Sequence, residues 1–321
     1  MAPLIVEVTR GNHVESRHAV AAAVIDAAGA VVFAAGDIDA AVFPRSAVKA
    51  LQALPLVESG AADRLGLTQA ELALACASHT GEAVHVATAA SMLAKAGREA
   101  SVLECGAHWP ADAAAARALA VSGGQPGALH NNCSGKHAGF ICLACASGEE
   151  PAGYVRAGHP TMRRVTASLA AATGTALEAR NRGTDGCSIP TYAIPLRALA
   201  GAFARFGVAA GAPARLRSAV AAHPFLVGGT GRFDTVLMTA LGAQVFAKGG
   251  AEGVHCAALP GQGLGIALKC ADGAGRAADV ACAALIERFL GGVPAALLRP
   301  ELRNWNGAVV GGLRLAAEVS G

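Results

Sequence analysis

Residues 19–36, AVAAAVIDAAGAVVFAAG, decide the fold reading. Two runs rich in Val, Ile and Ala, 19–26 and 30–36, flank Asp26-Ala27-Ala28-Gly29, and such a break between β-type runs predicts a hairpin turn. A third strand-like run precedes them at residues 3–9. From Pro44 to about residue 223 the pattern changes, and the segments 46–54, 68–77, 82–97, 112–121, 136–147, 160–173 and 193–206 read as helices. Strand signals return at 243–247, 252–258 and 263–270, followed by a helix near 276–290. Strands at both ends with helices between them predict an α+β fold, one antiparallel sheet built from both chain ends with a helical insertion. The expectation is a single catalytic domain over residues 1–321, its sheet part at about 1–45 and 235–321 and its helical part at about 46–234.

Composition narrows the function classes. The mean hydropathy of +0.43 is carried by alanine and valine spread through the chain. Its most apolar stretches, such as 18–36 and 138–148, are broken by Asp26 and glycines or are too short to span a bilayer, so no membrane segment is expected. The start, MAPLIVEVTR, lacks a basic residue run ahead of an uncharged apolar stretch, and no export signal is expected. Nine scattered cysteines fit a reducing compartment, and a cytoplasmic location follows as an expectation. A net charge of +3, 4% aromatic residues and no basic run give no footprint for nucleic acid. Small-molecule chemistry is the class left standing.

Only five of the 26 basic residues are lysines, and three of those stand in motif-like surroundings: Lys49 in PRSAVK, Lys136 in NNCSGKH and Lys248 in AKGG. Arginine supplies charge but never a neutral amine, so a chain that has mostly replaced lysine keeps it where an amine that can lose its proton is needed. Ser46 and Lys49, at i and i+3, would lie on one face of a helix, the arrangement of a hydroxyl activated by an amine. The fold reading puts Ser46 where the chain leaves the first sheet segment and Lys248 on a returning strand.

Five blocks carry a resemblance: Pro44-Arg45-Ser46-Ala47-Val48-Lys49, Cys76-Ala77-Ser78-His79-Thr80-Gly81-Glu82, His130-Asn131-Asn132-Cys133-Ser134-Gly135-Lys136-His137, Thr184-Asp185-Gly186-Cys187 and Lys248-Gly249-Gly250-Ala251-Glu252-Gly253. In this order they resemble the rhizobial-type, or class 3, L-asparaginases, across the chain to about residue 275. The resemblance implies the fold of serine β-lactamases and glutaminases and the hydrolysis of L-asparagine to L-aspartate and ammonia. It implies Ser46 as nucleophile with Lys49 as its base, and Ser78 with Lys248 as a second serine–lysine pair. It further implies a zinc ion held by Cys133, Lys136 and Cys187, and a homodimer.

Arg45 and Asp185 suit the α-carboxylate and α-ammonium of an amino-acid substrate, or else form a structural ion pair; His79 would tune the second serine or serve as a structural donor. Two further readings stay open. One is a β-lactamase-, peptidase- or glutaminase-type serine amidohydrolase on the same fold. The other is a noncatalytic zinc-binding protein. Cys142 and Cys145 have C-x-x-C spacing, but they sit late in an apolar helix and read as packing.

Overall fold

The computed structural model describes residues 1–317. Among them the chain forms twelve strands: β1 (Leu4–Arg10), β2 (His13–Asp26), β3 (Val31–Ala35), β4 (Ala41–Val42), β5 (Arg182–Thr184), β6 (Pro190–Tyr192), β7 (Ile194–Pro195), β8 (Phe246–Gly250), β9 (Val254–Leu259), β10 (Leu264–Cys270), β11 (Glu301–Arg303) and β12 (Val309–Leu315). The chain divides into two compact units. One comprises Met1–Ala47, Ala193–Val208 and the chain from Ala240 on; the other comprises Val48–Tyr192 and Ala209–Thr239.

The first unit is built on the expected antiparallel sheet, in the order β11-β12-β1-β2-β10-β9-β8, with β3 paired to the far half of β2. The turn at 26–29 forms as read: Gly29 N–H donates to Asp26 O, and the Asp26 carboxylate accepts from Ala30 N–H at 2.8 Å. Side chains alternate across the pleat, so each face of β9 and β10 meets a different helix. Gly265 lies against the helix Leu196–Val208, and a Cβ there would stand 2.0 Å from Ala200 O. His255, on the other face, reaches Asp279 of the helix Gly275–Phe289 at 2.6 Å. With both faces covered, β9 is buried along its whole length. Phe203, Phe206 and Phe246 form an aromatic cluster on the Leu196–Val208 face, with ring centroids 5.1–5.9 Å apart.

The expected layout omits the closing hairpin β11–β12. β12 pairs with β1, Glu7 opposite Arg314, and completes the sheet from the C-terminal side. The fold is thus α+β with both chain regions in one sheet, as the sequence implies.

The second unit is helical. Six of the seven helices of the expected series lie here within a few residues, Lys49–Glu58, Gln69–Ala75, Ala83–Lys95, Ala113–Val121, Ser134–Ala146 and Pro160–Thr173, and the seventh, Leu196–Val208, belongs to the first unit. Local chemistry sets their ends. Thr68 and Glu71 form a reciprocal capping box, and Pro160 opens a helix that stops at Gly174 in the left-handed region. Helices Ala212–Ala222 and Phe233–Leu241 lie outside the expected series. Among the described residues no helix is long and apolar enough to cross a membrane.

Candidate active site

All three motif lysines are buried to 2% exposure or less. The other two, Lys95 and Lys269, reach the surface. Burying a cation is costly unless partners satisfy it, so each buried lysine marks a built environment.

Lys49 opens its helix inside the helical unit. Its Nζ donates to Ala77 O and to Ser78 Oγ, the latter at 2.9 Å. Ser78 follows the helix Gln69–Ala75, is half-buried, and is anchored by its own N–H to Val227 O at 2.9 Å. The structure therefore brings Lys49 to Ser78. Beside them, His79 is buried and its two ring nitrogens are both engaged. Nδ1 accepts from Gly81 N–H, which leaves Nε2 to donate to Ser134 Oγ at 2.9 Å. Burial, then the neighbouring His85 and Lys49, hold its pKa well below the ordinary histidine value.

The predicted metal-ligating trio converges. Cys133 stands at the N-terminus of the helix Ser134–Ala146, Lys136 lies one turn on, and Cys187 arrives from the turn of the β5–β6 hairpin. Their exposures are 5%, 2% and 3%. Lys136 Nζ donates to Cys187 Sγ at 3.0 Å. The Cys133 thiol has its pKa held well below the ordinary thiol value: a hydrogen bond from the Cys187 thiol, helped by the charges of Lys49 and Lys136, outweighs burial. The same pairing pushes the Cys187 thiol up. Burial works against the Lys136 ammonium, but Cys133, Cys187 and Asp185 outweigh it and raise its pKa. Two closely spaced residues make this helix start fit: a Cβ on Gly135 would stand 2.3 Å from Leu74 O, so only glycine lets the helix pack this closely. Asn131 accepts from Cys133 N–H at 2.8 Å and donates to Cys105 O, fixing the Cys133 backbone. Asp185, half-buried, has its Oδ2 3.9 Å from Cys187 Sγ.

Two sulfurs, one with its pKa lowered, and a lysine amine gathered in a buried cluster match the soft donor preference of zinc, and three protein ligands are the number used by sites that keep one position open. The residues fit the ion, provided Lys136 and Cys187 release their protons to it.

In the sheet unit, Ser46 is half-buried within a 3-10 turn, Arg45–Val48, closed by Ala47 N–H on Pro44 O. Lys248 is on β8, with its Nζ donating to Gly249 O at 2.7 Å. β8 runs directly against the Ser46 turn: a Cβ on Gly250 would lie 2.6 Å from Pro44 O and 3.4 Å from Ser46 N. Among the described residues only Arg45, Ser188 and Glu252 combine a side chain with positive φ, at 50°, 74° and 61°. Two of the three adjoin candidate residues, Ser46 and Cys187, and strained backbone of this kind gathers at functional sites.

Sequence reasoning missed two supports. Asn131 carried no expected role, although an Asn three residues before a helix start is a recognisable turn-former. Glu82, also in a quoted block, accepts from Thr80 Oγ1, Thr230 N–H and Thr230 Oγ1 at 2.7–3.0 Å. It clamps the 228–231 loop to the segment carrying Ser78, and nothing local in the sequence announces a partner 148 residues away. Of the C-x-x-C pair, Cys142 packs as expected: it is buried, donates to Met92 O, and has its thiol pushed up to about 12 by burial, whereas Cys145 is half-buried. All nine cysteines are free.

Comparison with individually curated proteins finds no match. The family described as L-asparaginase II matches residues 6–315, nearly the whole chain and every candidate site residue. A buried lysine on a serine hydroxyl, beside a cysteine–lysine cluster, is thus set within a family of amide-hydrolysing enzymes. The chain belongs to the L-asparaginase II family and is an L-asparaginase amidohydrolase.

Proposed function

We propose that the protein hydrolyses L-asparagine through a serine acyl-enzyme, as a member of the rhizobial-type branch of the asparaginases with the serine β-lactamase and glutaminase fold. The observation that carries this reading is Lys49, a fully buried amine bonded to a serine hydroxyl in a chain that otherwise uses arginine. Ser46, three residues before Lys49, attacks the side-chain amide carbon; its proton passes to the neutral Lys49 amine and on to the departing nitrogen, which leaves as ammonia. Water then hydrolyses the aspartyl ester. Ser78 and Lys248 form the second serine–lysine pair. Arg45 and Asp185 bind the α-carboxylate and α-ammonium of the substrate, with His79 supporting Ser78.

Cys133, Lys136 and Cys187 hold zinc, which supplies Lewis acidity and positive charge when bound. The working form is a cytoplasmic homodimer.

One observation favours a second assignment of the nucleophile. Lys49 Nζ bonds Ser78 Oγ at 2.9 Å, so Ser78 is the hydroxyl already in its reach. Trapping the acyl-enzyme by rapid acid quench and peptide mass mapping separates the two. An aspartyl adduct on the Ser46 peptide, absent in Ser46→Ala, supports the first assignment; an adduct on Ser78 that persists in Ser46→Ala assigns the attack to Ser78. No adduct with either serine, together with full turnover in both alanine variants, would rule out a serine ester.

A further inference from the structure

A second group of metal-type donors lies in the sheet unit and shares no residue with Cys133, Lys136 and Cys187. His18 on β2, Cys270 at the end of β10 and Asp272 in the turn that follows place their Nδ1, Sγ and carboxylate oxygen atoms within 4.8 Å of one another. His18 Nδ1 stands 2.6 Å from Asp272 Oδ2, and Cys270 Sγ stands 3.0 Å from Asp272 Oδ1. His18 and Cys270 are buried, whereas the Asp272 side chain is 51% exposed and gives access from solvent.

Each donor is oriented by an outer partner. His18 Nε2 lies 3.2 Å from Ser16 Oγ, and Ala274 N–H donates to Asp272 Oδ1 at 3.0 Å. A hydrogen-bonded second nitrogen on the histidine and a hydrogen-bonded carboxylate are the outer contacts that metal ligands use to fix their direction. The hydrogen bond between His18 Nδ1 and Asp272 Oδ2 puts a proton at the position a cation would take between the two donors. Glu252, at a φ of 61°, has its Oε2 2.6 Å from where a Cβ on Gly273, the residue after Asp272, would stand. Ligands of a tetrahedral zinc stand about 3.3–3.6 Å apart, so His18 and Asp272 must open by about 0.7 Å, a small adjustment for a half-exposed aspartate.

We propose that His18, Cys270 and Asp272 form a second binding site for a zinc-type divalent cation, with water completing the coordination. One imidazole, one thiolate and one carboxylate are a borderline-soft set that suits zinc over magnesium or calcium. Binding displaces the Cys270 thiol proton and any proton shared by His18 and Asp272. It ties β2 to the turn between β10 and the helix Gly275–Phe289, a staple in the sheet separate from the candidate active site.

The test is titration of metal-stripped protein with Co2+, followed by absorption. In a Cys133→Ala/Cys187→Ala background, a thiolate-to-cobalt charge-transfer band is expected. It should vanish with Cys270→Ser, and Asp272→Asn should weaken binding at least tenfold. Should that background fail to fold, the otherwise unaltered chain is titrated instead, and Cys270→Ser or His18→Gln must each remove one bound metal per chain. Zinc should also raise the melting temperature of the unaltered chain by more than that of His18→Gln. A background with no cobalt band, or a metal count and melting shift unaffected by His18→Gln and Cys270→Ser, would reduce the group to an ordinary histidine–aspartate ion pair and overturn the proposal.

Discussion

Gly135 and Gly139 occupy the same face of one helix, yet alanine should act on them with opposite sign. At Gly135 the added Cβ would stand 2.3 Å from Leu74 O and 2.5 Å from Leu74 Cγ. A real Cβ keeps more than 3 Å from a carbonyl oxygen, so the helix start must retreat by about 1 Å, a case of overpacking that costs about 1–3 kcal/mol or more when the clash is with backbone. Against this, alanine gains about 1 kcal/mol over glycine inside a helix. A net loss of about 2 kcal/mol would lower the melting temperature by about 3 °C in a chain of this size. At Gly139 the nearest atoms are the Ala75 Cβ and Leu56 Cδ2, both at 3.4 Å, an ordinary contact, so the helix gain should dominate and stability should be equal or higher.

The functional consequence separates the two further. A 1 Å retreat of the helix start moves Cys133 and Lys136 away from Cys187, and misplacement of that size costs about a hundredfold in rate where positioning matters. Calorimetric melting and ammonia release from L-asparagine read both effects. Gly135→Ala with unchanged melting and turnover, or two variants that behave alike, would show that the close approach at Leu74 does not hold the cluster.

Three further outcomes are expected. Lys49→Arg should lose activity by at least about a hundredfold, as fully as Lys49→Met, because arginine stays protonated and cannot act as a base; substantial turnover would mean that Lys49 contributes charge alone. Cys187→Ala should reduce bound zinc by about one per chain and Cys133→Ala should do the same, by elemental analysis, with the affinity of the parent falling as pH falls because Lys136 and Cys187 must deprotonate; an unchanged metal count in both would place the ion elsewhere. Burial disfavours charged His255, but Cys282 and Asp279 outweigh it and push its pKa up to about 10. Its stabilisation is complete below about pH 6.5 and is lost as pH rises toward 10, on the order of a few kcal/mol. Urea midpoints measured from pH 6 to 10 should therefore fall more steeply than in His255→Gln, and parallel slopes would exclude this contribution.

The lysines show how far the sequence could be read. In a chain so rich in arginine, the three lysines set apart by their neighbours are the three with exposures of 2% or less, a selection that composition alone could flag. The 26–29 hairpin was equally legible because turn chemistry is local. The closing hairpin β11–β12 was not, although Asn306-Gly307 is a strong turn signal. Its strands are short, charged and glycine-rich, and Gly311 is there because a Cβ would stand 1.8 Å from Thr9 O on β1. That need is created by a strand at the other end of the chain. The clamp by Glu82 on Thr230 escaped for the same reason, as did the contact between Lys49 and Ser78, 29 residues apart, whose pairing the spacing of Ser46 and Lys49 does not suggest.

The pairing of β1 with β12 also sets a timetable. Glu7 meets Arg314 across 307 positions, so the outer edge of β1 lacks its neighbour until β12 has been made, about 15–60 s later at ordinary translation rates. Meanwhile residues 48–192, the bulk of the helical unit, emerge as one uninterrupted segment rich in local contacts and can fold behind the ribosome. The nascent protein thus carries a bare strand edge of the kind that recruits other chains, sealed only when β12 appears. A chain cut short before Val309 would keep the candidate metal cluster intact and still present that open edge, which makes solubility of the nascent chain, more than catalysis, the property most exposed to a premature stop.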